Sequence, residues 1–135
     1  MDGSELLSIT SKSRYALSAL IELHRIGDGG PVPVAELARR GQIPLQFLEQ
    51  LLATLRRAGV LRSQRGVKGG YSFARSATEV TVLEVVELLD GPLGAQARGV
   101  FADAARAATA VLRDCTVAEA AEREARVEGQ AMYFI

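Results

Sequence analysis

The sequence predicts a mainly α fold with one small β-hairpin, and three observations carry that prediction. Apolar residues recur at intervals of three and four along four separate stretches, as one buried helix face requires. Two short strand-like runs, residues 60–64 and 71–74, flank a basic, glycine-rich hexapeptide. The 135 residues, 48% hydrophobic and 24% charged, suffice for one domain with a core and argue against a disordered chain.

The first helix is expected over Lys12 to Ile26, capped by Thr10 or Ser11 and stopped by Gly27, Gly29 and Gly30. Its inward face is Ala16, Ala19, Leu20, Leu23 and Ile26. Pro31 and Pro33 force an extended link before a short helix over Val34–Arg40, with Val34, Leu37 and Ala38 facing inward. Gly41-Gln42-Ile43-Pro44 breaks the chain, and a third helix is expected from Pro44 to Ala58, ended by Gly59. Leu48, Leu51, Leu52 and Leu55 give that helix a core stripe; Gln46, Glu49, Gln50, Ala53 and Arg57 form the opposite one. Amides, a carboxylate, a small residue and an arginine on one outward face suit a reader of base edges in a major groove.

A short helix, a tight turn and a longer helix make a helix-turn-helix. The two runs that follow, joined by Arg65-Gly66-Val67-Lys68-Gly69-Gly70, make a hairpin with a basic tip, the wing of a winged helix. Glycines such as Gly69 allow the backbone to approach a phosphate or groove wall. Arg65 and Lys68 supply charge, and Arg65 suits a narrow minor groove. The hexapeptide is not a nucleotide-binding loop, because it lacks the GxxxxGK[ST] spacing and joins two strands.

Thr81-x-x-Glu84 opens a helix reaching Leu89, closed by Gly91-Pro92. Glu84, Glu87 and Asp90 read as a solvated helix face. Val100 to Cys115 reads as one long Ala-rich helix, with Phe101, Ala104, Ala105, Ala108, Val111, Leu112 and Cys115 on a continuous stripe. So long a helix beside a small domain is expected to bury that stripe against a second copy, as a homodimer. Thr116-x-x-Glu119 opens a last helix to about Arg126, and the apolar tail Met132–Ile135 is expected to pack on the body or a partner.

Charge is divided along the chain. Residues 1–75 hold eleven Lys/Arg against six Asp/Glu, residues 76–135 five against ten, and the net charge is zero. From Gln50 to Thr78 there are six bases and no acid, which points the N-terminal half toward a polyanion. Aromatics at 5% are too few for a single-strand stacking platform. No apolar run is long enough to span a bilayer and Met1–Ile9 lacks a secretory pattern, so no membrane role and a cytoplasmic location are expected. One cysteine and one histidine leave no catalytic pair and no zinc site. Cys115 lies on an apolar stripe, where a cysteine acts as a small hydrophobe; a redox-sensitive thiol is the rival role. His24, near a helix C-terminus, has no ligand-type neighbour.

Ser11-Lys12-Ser13-Arg14-Tyr15-Ala16-Leu17, Phe47-Leu48-Glu49-Gln50-Leu51, Leu55-Arg56-Arg57-Ala58-Gly59 and Arg65-Gly66-x-x-Gly69-Gly70-Tyr71 resemble the Rrf-2-type bacterial transcription regulators, over about residues 9–93. The cysteine-free link after Gly91-Pro92 and the ending Gln130–Ile135 are most similar to the CymR branch, which regulates cysteine and sulfur metabolism. The resemblance implies two winged helix-turn-helix heads joined by crossing long helices on a pseudo-palindromic operator in double-stranded DNA. It implies base contacts from Gln46, Glu49 and Gln50, a minor-groove contact from Arg65, and backbone contacts near Lys12, Arg14 and Tyr15. Iron–sulfur members of the family hold their cluster with three cysteines around that link, and this sequence has none there.

The expected organisation is a DNA-binding domain over residues 1–93 and a dimerisation helix with a C-terminal helix and tail over 94–135. The expected function is a sequence-specific transcription regulator, a repressor without metal or cofactor and not an enzyme, with a cysteine-biosynthesis enzyme as co-regulator. Two alternatives stay open: a redox- or iron–sulfur-responsive regulator using Cys115, and a winged-helix module that binds protein.

Overall fold

The computed structural model describes residues 9–27 and 30–133. Helix α1 spans Ser11–Ile26, α2 Val34–Gly41 and α3 Leu45–Arg57; strands β1 Leu61–Gln64 and β2 Gly70–Phe73 follow, then α4 Val82–Asp90, α5 Val100–Arg113 and α6 Val117–Tyr133. The mainly α fold with one hairpin is the one the sequence predicts.

Local chemistry sets the ends of these elements. The Thr10 hydroxyl accepts the Lys12 N–H at 3.2 Å, and Gly27 closes α1 at φ 66°. Between α2 and α3 the left-handed residue is Gln42, at φ 54°, and Gly41 ends the helix. A Cβ on Gly41 would press into the Ile43 side chain, which is buried. After α3, the Val60 N–H reaches back to the Leu55 carbonyl at 3.0 Å around Gly59, at φ 82°. Both expected threonine caps form: Glu84 N–H donates to the Thr81 hydroxyl and Glu119 N–H to that of Thr116, each at 3.1 Å.

The hairpin is antiparallel, with Leu61 opposite Phe73 and Gln64 opposite Gly70. It gains a third partner that the sequence did not announce. Val32, between Pro31 and Pro33, exchanges both backbone hydrogen bonds with Tyr71 at 2.8 Å. A Cβ on Gly70 would collide with the Val32 carbonyl, so only glycine permits this approach.

The main core joins Ala16, Leu20 and Leu23 of α1, Leu37 of α2, Leu48, Leu52 and Leu55 of α3, Val60, Leu61, Val80 and Val85. Val117 and Ala118, at the start of α6, belong to the same core. Packing therefore runs across the boundary expected at residue 93. The α5–α6 turn is stitched to the start of α4 by Val82 N–H to the Cys115 carbonyl and Val117 N–H to the Val80 carbonyl, both 2.8 Å. Farther along α6, Arg25 of α1 bridges Glu22 and Glu128, each at 3.2 Å.

The C-terminal helices depart from expectation in two ways. Helix α6 runs to Tyr133, beyond Arg126, and is longer than α5. The seam expected over Phe101, Ala104, Ala105, Ala108, Val111 and Leu112 is also split. Ala105 and Cys115 are buried within the chain, and Ala108 and Leu112 pack on a second cluster with Ile21, Val82, Val86, Leu93, Ala120 and Ala121. At 100° per residue, Ala105, Ala108, Leu112 and Cys115 share the face turned to the body. Ala104 and Val111 lie on its flank, Phe101 in the first turn, and all three are exposed. Helix α6 takes in residues 132 and 133, while the packing expected of the tail Met132–Ile135 rests on side chains outside those described. No helix among the described residues is long and apolar enough to cross a membrane.

Candidate nucleic-acid interface

Burying the leucine stripe of α3 turns its other face to solvent: Gln46, Glu49, Gln50 and Arg57 are exposed and Ala53 is half-buried. The Thr54 hydroxyl bonds back to the Gln50 carbonyl at 3.2 Å and accepts from Arg57 Nη2 at 3.3 Å, steadying the helix's last exposed turn. The face thus presents donors and acceptors at helical spacing around one small residue, which base-edge readout needs.

The hairpin tip is exposed as well. Arg65, Val67 and Lys68 are exposed, and Gly69 N–H donates to the Gly66 carbonyl at 3.0 Å to close the turn. A Cβ on Gly69 would overlap the Gln64 carbonyl. Gly69 is therefore required by the turn itself, whatever the tip touches.

The start of α1 supplies a third edge. Lys12 and Arg14 are exposed, and Lys12 shares a cleft with Phe47, Gln50 and Thr54 of α3 and Leu88 and Leu89 of α4. Tyr15 differs from them. Its ring is half-buried and stands edge-on to Phe47, with centroids 5.7 Å apart at 84°. The ring is a packing contact between α1 and α3, a role invisible to a reading that grouped it with Lys12 and Arg14.

Ion pairing separates these bases from several others. Arg25, Arg39, Arg40, Arg75 and Arg106 each pair with a carboxylate. Among the described residues no ion pair engages Lys12, Arg14, Arg56, Arg57, Arg62, Arg65 or Lys68. Arg98, Arg113, Arg123 and Arg126 are likewise outside these ion pairs, but they stand among ten acids in residues 76–135. The seven instead lie on the first turn of α1, the end of α3 and the hairpin, in the basic half of the chain.

Two carboxylates expected to be merely solvated are tertiary ties. Glu84 accepts from Arg75 at 2.5 Å and helps hold the segment after β2, raising the arginine's already high pKa. Asp90 accepts the Thr10 hydroxyl at 2.6 Å, the Thr10 N–H at 3.0 Å and the Ser13 hydroxyl at 2.5 Å. Burial pushes its carboxyl pKa up, but these bonds and the nearby Lys12 charge outweigh burial and hold it below the usual carboxylate value.

A family model described as Rrf2, iron-dependent transcriptional regulator, matches residues 9–123. The chain belongs to the Rrf2 family. It is 40% identical over 84 residues to the HTH-type transcriptional regulator IscR of Photorhabdus laumondii, 62% of this chain and 51% of that one. The chain spans about half the length of such curated relatives. Among solved structures it resembles CymR, the global cysteine regulator of B. subtilis, at TM-score 0.77 and 27% identity, covering 85% of this chain and 96% of that one. It resembles T. potens IscR at TM-score 0.76 and 30% identity, covering 90% and 91%.

The Rrf2 description names iron, and the residues here do not fit an iron–sulfur cluster. The link over 91–99 holds no cysteine, and one thiol per chain is available. That thiol, Cys115, is buried in the α5–α6 turn and faces the Thr116 carbonyl at 3.5 Å. Among the described residues no three His, Cys, Asp or Glu side chains gather as a metal site.

Proposed function

We propose that this Rrf2 chain is a sequence-specific, double-stranded DNA-binding repressor that works as a homodimer without an iron–sulfur cluster. One observation carries the reading: α3 exposes Gln46, Glu49, Gln50 and Arg57 on one face, and the exposed bases of the first turn of α1, the end of α3 and the hairpin take part in no ion pair among the described residues. Gln46, Glu49 and Gln50 read base edges, Arg65 enters the minor groove, and Lys12, Arg14, Arg57 and Lys68 bind phosphates. Gly69 brings the wing's backbone close.

The homodimer reading rests on the outer flank of α5. Val100, Ala104, Ala107 and Val111 fall at intervals of four, three and four, all exposed, with Val100 and Val111 at 71% and 61%. A narrow stripe of small and branched residues at that spacing suits close helix packing with a second copy. Two heads so joined match a pseudo-palindromic operator. The likeness to CymR supports control of cysteine or sulfur metabolism, with a cysteine-biosynthesis enzyme as co-regulator.

Selection of bound duplexes from a random pool tests the proposal. A two-fold symmetric consensus whose binding weakens steeply with salt is the expected result. Binding without sequence preference, or none at low salt, would refute it.

A further inference from the structure

Asp90 stands where the α4 helix ends and the link to α5 begins at Gly91, which adopts φ 79°. An acid in the last turn of a helix faces the negative end of the dipole, and α4 carries no base there to offset it. Nothing local favours aspartate at this position. Its carboxylate instead reaches a residue 80 positions earlier, taking both the N–H and the hydroxyl of Thr10, the N-cap of α1. A third bond comes from Ser13, the buried polar side chain of the described core at 2% exposure. Helix α1 has no acid of its own in its first turn, so Asp90 supplies the negative charge its N-terminus favours.

The clasp acts on one turn, Thr10 to Ser13, and Lys12 lies inside that turn. Lys12 in turn shares its cleft with Gln50 and Thr54 on the exposed edge of α3. Without the clasp, the ammonium would ride on a frayed helix end whose anchor on this side is lost. We infer that Asp90 is a positioning residue for DNA binding: its carboxylate fixes the first turn of α1 so that Lys12 meets a phosphate beside the Gln50 edge of α3. The inference rests on the DNA-binding reading above.

The test uses the full chain and a fluorescein-labelled, mixed-sequence duplex of about 25 base pairs, titrated at salt from about 50 to 200 mM. Lys12→Ala should lower the slope of log affinity against log salt by about one, the loss of one phosphate contact. Asp90→Ala should lower it by the same amount, and adding it to Lys12→Ala should change nothing further. Asp90→Asn keeps one oxygen acceptor and should recover part of the slope; it also replaces Asp90→Ala if that variant does not fold. Amide exchange provides a readout without DNA: residues 12–15 should exchange faster in Asp90→Asn, with α3 unchanged.

If the parent binds the duplex but Asp90→Ala keeps the full slope, or its effect adds to that of Lys12→Ala, the positioning role is overturned and DNA binding stands. Unchanged exchange at residues 12–15 also overturns it. If the parent shows no salt-dependent binding, the DNA reading falls and the role of Asp90 falls with it.

Discussion

Tyr15 of α1 stands edge-on to Phe47 of α3, ring centroids 5.7 Å apart and planes at 84°. The pair joins the first helix to the opening turn of the helix whose outer face carries Gln46, Glu49 and Gln50. Edge-to-face aromatic pairs contribute about 0.5–1.5 kcal/mol beyond area burial. A double-mutant cycle with Tyr15→Leu and Phe47→Leu should therefore give a coupling energy in that range by denaturant unfolding. A coupling near zero would show that the edge-on geometry adds nothing beyond burial.

Asp90 makes stability sensitive to acid. Its carboxyl pKa lies lower folded than the ordinary value of 3.8, so the stabilisation is complete above that value and is lost as pH falls through the lowered one. The gap in Tm between the parent and Asp90→Asn should be widest at neutral pH and close in acid. A gap constant from pH 7 to about pH 3 would show that the carboxylate charge plays no part.

Recognition and wing variants should separate in kind. Gln50→Ala removes an amide suited to a base edge; it should cost about 1–3 kcal/mol at its preferred base and relax preference there. Lys68→Ala should weaken all duplexes alike and reduce the salt slope by about one. Arg65→Ala should weaken operator binding and shift preference toward wider minor grooves. All three side chains are exposed, so circular dichroism should show parent-like folding. Unchanged operator affinity for Arg65→Ala would remove the wing from the interface.

The two edges of α5 should respond differently to charge. Ala104→Glu and Ala107→Glu lie on the exposed flank and should yield folded monomers by light scattering at micromolar concentration. Ala105→Glu places an unpaired carboxylate at a site 4% exposed within the chain and should lower Tm sharply. A stable dimer from both flank variants would move the seam elsewhere.

With no cysteine in the link, the chain purified under strict anaerobiosis should be colourless, without stoichiometric iron or sulfide. Cys115→Ser should bind the selected operator as the parent does. A brown preparation bleached by that substitution would place the protein among the iron–sulfur regulators.

Much of this architecture was legible because it is local. The leucine stripe of α3 declares both a buried face and an exposed one, so Gln46, Glu49, Gln50 and Arg57 could be placed outward from periodicity alone. The Thr81 and Thr116 caps and the glycines at 27 and 59 mark helix ends through bonds spanning a few residues. The acid-free stretch from Leu51 to Arg75 made the basic character of this region legible, since charge is a property of composition.

The tertiary structure decided what depends on distant partners. Residue spacing assigns Phe101, Ala105 and Leu112 to one stripe, but only packing against α4 and α6 determines which residues are covered and leaves Ala104 and Val111 open. The pairing of Val32 with Tyr71 joins segments 39 residues apart, and two flanking prolines disguise it as a loop. Asp90 shows the limit most clearly. An acid at the end of a helix looks unfavourable or idle in sequence, and its reason is a hydroxyl 77 residues away. Periodicity, capping and charge act within a few residues, and so they are written in order along the chain. The pairing of faces, edges and single polar groups is settled by which elements pack together, and no local pattern encodes that.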